Sequence, residues 1–190
     1  RDGGQGEYTL VGHASILSDG SLALTPNDYH QAGSISIQPP RLVANVARSF
    51  DATFGAYIGD GSGGQGMCFC YGELPAGALT AAGVDSGLCV RFLTRDLLGA
   101  PAQALHVVLD GAVLRDIDLR ELAGTTEWPL STYIVERSAD FLRVRATMPV
   151  HIAYSATGLR VTYGEHTLVD GLKLPYWTPS ETWQFAIGAS

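Results

Sequence analysis

The sequence predicts an all-β protein, a two-sheet antiparallel β-sandwich, on three observations. Apolar and polar residues alternate with period two in short runs along the whole chain. Turn-forming residues separate the runs, among them Pro39-Pro40 and the Asp-Gly pairs Asp19-Gly20, Asp60-Gly61, Asp110-Gly111 and Asp170-Gly171. The composition, 46% apolar and 16% charged with 23 glycines in 190 residues, is that of a compact turn-rich domain. A chain of this length buries roughly 70% of its unfolded surface, so it needs no metal or disulfide staple.

The runs follow in order. EYTLVG (7–12), SLALTP (21–26) and GSISIQPP (33–40) come first, then FDATFGAYIG (50–59), GMCFCYG (66–72) and GLCVRFLT (87–94). ALHVVLDG (104–111), AVLRDIDL (112–119), STYIVE (131–136) and FLRVRATMP (141–149) occupy the middle, and VHIAYSA (150–156), GLRVTYG (158–164), HTLVDGL (166–172) and TWQFAIG (182–188) complete the series. Short strands with turns between them indicate a sandwich and not βαβ units. One helical turn is expected from Asp118 to Ala123. It lies in a charge-rich stretch, 113–148, expected as an insertion on the edge of the sandwich. Residues 1–190 are read as a single domain. The start at Arg1, without methionine or apolar leader core, suggests a processed piece of a longer chain.

Alternation also assigns faces. Met67, Phe69 and Tyr71 should point with Leu88, Val90 and Phe92 into the core, joined by Leu105, Val107, Leu109, Val150, Ile152, Tyr154, Leu159, Val161 and Tyr163. The opposite face then carries Cys68, Cys70, Cys89, Arg91, Leu93, His106, Val108, His151, Arg160 and Thr162, and is expected to be what a curved sheet offers to a ligand.

Charge and motif content exclude several functions. The net charge is −7, with Lys173 the single lysine and the arginines scattered, so no basic run follows a phosphate backbone. No segment reaches 18 consecutive apolar residues, and no membrane insertion is expected. The glycine-rich loop from Gly59 to Gly66 lacks the Gly-Lys-Ser/Thr ending of a phosphate cradle. His13, His30, His106, His151 and His166 show no metal-ligand spacing, and no G-x-S-x-G elbow is present. No cofactor is expected.

The three cysteines leave two readings open. Cys68 and Cys70 lie two apart on one strand and share a face, and Cys89 lies on the next strand in sequence. Antiparallel pairing sets Cys89 opposite Cys70 or Cys68. A cross-strand disulfide, with Cys70 and Cys89 as the candidate pair, would favour an extracellular or cell-surface location. Three buried thiols acting as small apolar side chains fit the spacing equally well.

Taken as an ordered series, FDATFGAYIGDGSGGQGMCFCYG, GVDSGLCVRFLT, LHVVLDGAVL, VHIAYSATGLRVTYGEHTLVDGLKLP and WQFAIGAS resemble the concanavalin A-like lectin/glucanase superfamily, in particular its legume-lectin-like and laminin-G-like jelly rolls. The resemblance implies a jelly-roll sandwich and three departures from the family pattern. Sugar-binding members commonly carry an aspartate where this chain has Gln65, which donates and accepts hydrogen bonds but lacks the charge. Metal-binding members carry a glutamate and an aspartate where this chain has Arg91 and Leu93, and such a pair cannot supply the oxygen ligands of Ca²⁺. Family members also continue past WQFAIGAS into a strand that closes a sheet, so either that strand comes from elsewhere or an edge is open to a partner.

Candidate ligand residues are therefore Asp60, Gln65, Arg91, Tyr176 and Trp177. Tyr176-Trp177 is the best candidate for an aromatic platform under a sugar ring, while the reading favoured for Trp177 itself is a plug at the end of the core. Asp116-Ile117-Asp118-Leu119-Arg120-Glu121 looks like a glucanase signature with one residue inserted and Asp for the first Glu, so no catalytic residue is assigned. The expected role is a non-catalytic, structural or adhesive extracellular module contacting neighbouring protein modules or subunits. A metal-independent carbohydrate-binding domain is the alternative, and a degenerate glycoside hydrolase the remote one.

Overall fold

The computed structural model describes residues 7–26, 30–38, 47–58, 64–95, 101–119, 133–134, 144–145 and 147–190. Its strands are β1 (Tyr8–Gly12), β2 (Ser15–Ile16), β3 (Leu22–Ala23), β4 (Gly33–Ile37), β5 (Phe50–Ala56), β6 (Gly66–Gly72), β7 (Gly87–Arg95), β8 (Pro101–Leu109), β9 (Ala112–Asp118), β10 (Tyr133–Ile134), β11 (Val144–Arg145), β12 (Met148–Ser155), β13 (Gly158–Tyr163), β14 (His166–Leu172) and β15 (Gln184–Ala189). Each alternating run contains a strand. β2 has no such run, because two residues cannot display a period.

The strands form the expected antiparallel sandwich. One sheet has the order β1-β4-β15-β6-β7-β8-β9, and the facing sheet has the order β14-β13-β12-β5. Two short hairpins, β2-β3 and β10-β11, complete the described pairings. Most of the stretch expected as an insertion lies outside the described residues, and residues 112–118, read from sequence within the run AVLRDIDL, form the edge strand β9 paired to β8. They alternate like any strand, and local charge does not prevent edge pairing, because one side of an edge is solvated. Asp118 ends the strand and Leu119 is helical, as the expected turn requires, while 120–123 lie outside the described residues.

Between the sheets, Met67, Phe69, Leu88, Val90, Phe92, Leu105, Val107 and Leu109 meet Val150, Ile152, Leu159, Val161 and Tyr163 in one core, as alternation assigned them. Each large side chain fully removed from water there contributes about 1.5–3 kcal/mol. At one end the core turns aromatic. Tyr71, Phe50 and Phe185 pack together, with the Tyr71 and Phe185 rings stacked at 4.3 Å.

The outer face of the longer sheet is not the open ligand surface expected for it. The β6–β7 connection, residues 73–86, folds back as a strap over that face and buries Cys68, Cys70, Cys89 and Val108 together with its own Leu79 and Val84. The Leu79 N–H donates to Ser34 Oγ at 3.0 Å, the Cys68 thiol to the Thr80 carbonyl at 3.1 Å and the Ala81 N–H to Ser190 Oγ at 3.4 Å. Small residues make this possible, since a Cβ on Gly188 would lie 2.3 Å from the Leu79 carbonyl oxygen. His151, Arg160 and Thr162, grouped by alternation with that face, belong to β12 and β13 and so line the outside of the other sheet.

Candidate functional site

Strand register defines two ends of the sandwich. Gly66 pairs with Leu93 at one end of β6, and Gly72 with Gly87 at the other. The chain leaves β5 at the Gly66 end and enters the loop that carries Asp60 and Gln65 there. Asp60 lies outside the described residues. Gln65 is half-buried and held on three sides. Its N–H donates to the Ser190 carbonyl at 2.6 Å, its carbonyl accepts the Thr94 N–H at 3.1 Å, and its Oε1 accepts from Ser190 Oγ at 3.3 Å. Thr94 Oγ1 donates to the Gly64 carbonyl at 2.6 Å, fixing the approach to Gln65. Gly66, at φ 121°, lets β6 start there, since a Cβ would lie 2.0 Å from the Phe92 carbonyl oxygen.

This clamp decides what Gln65 can do. One amide oxygen is engaged by Ser190, which itself accepts from Ala81 of the strap, so the side chain is oriented before any ligand arrives. The amide nitrogen stays a donor suited to a hydroxyl or ring oxygen. Ser190, Thr94 and Ala81 are the part of this end that sequence reasoning missed, because each comes from a different stretch of chain.

Arg91 sits lower on the outer face, in a cross-strand row that runs Cys68, Arg91, His106, Asp116. Exposure rises along the row. Cys68 is fully buried, Arg91 is 8% exposed, and the side chains of His106 and Asp116 reach 21% and 69%. His106 Nε2 lies 3.2 Å from Asp116 Oδ1, so that carboxylate, part of the glucanase-like stretch, engages histidine. Burial lowers the Arg91 pKa below the usual guanidinium value, with Cys68 and Asp85 acting in the opposite sense. Its Nε is buried without a hydrogen-bond partner. Burial also pushes the Cys68 thiol up to about 12.

A divalent cation does not fit the β7 positions Arg91 and Leu93. Arg91 brings positive charge, Leu93 is buried and apolar, and no carboxylate replaces either. Among the described residues, no group of three or more His, Cys, Asp or Glu side chains is placed to hold a metal.

Cys70 pairs with Cys89 in register, and the two form a disulfide, whereas Cys68 lies opposite Arg91 and stays a free thiol. Gly83 of the strap lies against the bridge, and the Val84 N–H points at Cys89 Sγ at 3.2 Å.

Tyr176 and Trp177 are at the opposite end from Gln65. The Trp177 ring packs 4.8 Å from Tyr154, 5.8 Å from Trp183 and 6.1 Å from Tyr71, which lie near the Gly72 end. Trp177 is thus a core plug, its Nε1 buried without a partner. Tyr176 beside it is 94% exposed. Six residue steps along β6 separate the two ends, about 20 Å at strand spacing. Gln65 and Arg91 share one region of the molecule, and the aromatic pair cannot join them around one small ligand.

No family model and no curated protein matches the chain. Solved structures do. The metal-free exoplasmic/lumenal domain of VIP36 is similar at 16% identity and a TM-score of 0.60, over 96% of this chain and 77% of that one. Winged bean acidic lectin, complexed with methyl-α-D-galactose, also reaches 0.60 at 16% identity, over 98% and 85%. The carbohydrate recognition domain of Emp46p, in its potassium-bound form, reaches 0.53 at 17% identity, over 95% and 78%. Identity at this level speaks for backbone architecture alone, and on it the chain has the concanavalin A-like sandwich fold of the legume-type lectin domains.

Proposed function

We propose that the protein is a non-catalytic carbohydrate-binding domain, with its ligand contacts at the Gly66 end around Gln65. The observation that carries this reading is Gln65 on a lectin-type sandwich, its backbone held by Ser190 and Thr94 and its side-chain amide oxygen accepting from Ser190 Oγ. A hydrogen-bonding group held in one orientation costs little entropy when a hydroxyl docks on it. The lectin alternative is therefore preferred over the structural or adhesive role expected from sequence. Arg91 and Leu93 make the binding independent of divalent cations. A secreted or lumenal location agrees with the Cys70–Cys89 disulfide.

The test is calorimetric titration with methyl α-D-galactopyranoside and methyl α-D-mannopyranoside, for the natural chain and for Gln65→Ala. Binding is expected, with about a tenfold loss of affinity in the variant, the equivalent of one good hydrogen bond to a positioned group. Neither glycoside binding at about 50 mM, a concentration that detects even dissociation constants in the millimolar range, would dismiss this reading.

One observation favours a protein contact in addition. The longer sheet overhangs the shorter one, and Tyr8 and Ile37, cross-strand neighbours in the row of the core residue Phe185, remain 58% and 37% exposed. An apolar overhang of this kind suits packing against a neighbouring module.

A further inference from the structure

We propose that Tyr176 is the stacking platform of a second carbohydrate contact, at the end of the sandwich away from Gln65. Its backbone is the first observation. Tyr176 has φ 53°, in the left-handed region. The other described non-glycine residues there are His30 and Asp110, types that tolerate it, whereas a bulky aromatic is an outlier. The second observation is exposure. At 94% the ring is the most exposed large apolar side chain among the described residues, so packing does not repay the strain. Strained residues persist where surrounding structure fixes them and where function uses them.

The surroundings do fix it. Leu174 on one side is buried, and Trp177 on the other is locked into the aromatic cluster. The Thr178 hydroxyl donates to the Tyr176 carbonyl at 3.2 Å, and the Trp177 and Trp183 rings close the loop at 5.8 Å. A loop held at both sides of Tyr176 loses little backbone freedom on binding. The same loop also exposes Pro175, Thr178, Glu181 and Thr182. One apolar ring on a loop that carries hydroxyls and a carboxylate matches the mixed C–H face and hydroxyl edge of a pyranoside.

This inference is independent of the Gln65 reading, and one experiment separates them. Isotope-labelled protein is titrated with methyl α-D-galactopyranoside and methyl α-D-mannopyranoside while the resonances of Tyr176, Thr178 and Gln65 are followed. Saturable shifts at Tyr176 and Thr178 are expected, lost in Tyr176→Ala, kept in Tyr176→Phe, with Gln65 shifts unchanged by either variant. Tyr176→Gly should melt no lower than the natural chain, and about 2 °C higher where relief of strain dominates. No saturable shift at Tyr176 with either glycoside, shifts that survive in Tyr176→Ala, or a lower melting temperature for Tyr176→Gly would each overturn the proposal. Shifts at Tyr176 without shifts at Gln65 would remove the Gln65 reading and leave this one standing.

Discussion

The Tyr163 hydroxyl is buried in the core with no hydrogen-bond partner, a cost the folded chain carries without return. Replacing Tyr163 by phenylalanine keeps the ring against Phe92 and removes the stranded group. The variant should be more stable by about 1 kcal/mol in urea denaturation at neutral pH. Burial also raises the hydroxyl pKa from 10.0 to about 12. A raised folded pKa means that the unfolded chain releases this proton first as pH climbs. The contribution is intact below pH 10 and is lost toward pH 12, so stability falls across that window. Tyr163→Phe should flatten the decline, and an equally steep loss in the variant would contradict this assignment. The Cys68 thiol, raised from 9.0 to about 12, acts in the same direction.

At the scale of elements, the strap over the long sheet depends on small residues. A Cβ on Gly83 would lie 2.7 Å from Cys89 Sγ and 3.3 Å from Cys70 Sγ, at φ 77°. Gly83→Val should therefore lift the strap and cost about 2 kcal/mol or more, through clash and left-handed strain together. Alkylation of Cys68 in the native protein gives a second readout. The thiol is sealed in the natural chain and should become reactive in the variant. Unchanged protection and melting would remove the strap from its covering role.

Strands were legible because each turns one face to the core, so Phe69, Val90, Val107 and Val161 declare themselves by alternation. The strap was not. GELPAGALTAAGVDS has the composition of any turn-rich loop, and only close approach of Leu79 to Gly188 shows where it lies. For the same reason the outer face looked open. That Gln65 stands at the entrance to β6 was readable from sequence, whereas its clamp was not, since Ser190 and Thr94 are distant in sequence. Tyr176-Trp177 looked like part of the same site because sequence does not say at which end of a sheet a loop emerges. Antiparallel pairing of β15 with β6 decides that, and it places the β14–β15 loop beside Gly72.

For the molecule as a whole, the buried Arg91 and Leu93 offer no oxygen ligands to a divalent cation. Dialysis against EDTA should leave melting temperature and glycoside affinity unchanged, and adding calcium should restore nothing. A drop in either on chelation would mean that a cation is held outside the described residues.

The sulfur bridge between β6 and β7 sits under the strap with no solvent contact at either cysteine. A thiol reagent must wait for that cover to peel back before it can reach a sulfur atom, so the rate of reduction measures a motion and not the driving force of the reductant. The oxidation state set while the chain folds is thereby preserved through later changes of surroundings, a chemical record of where the protein was made.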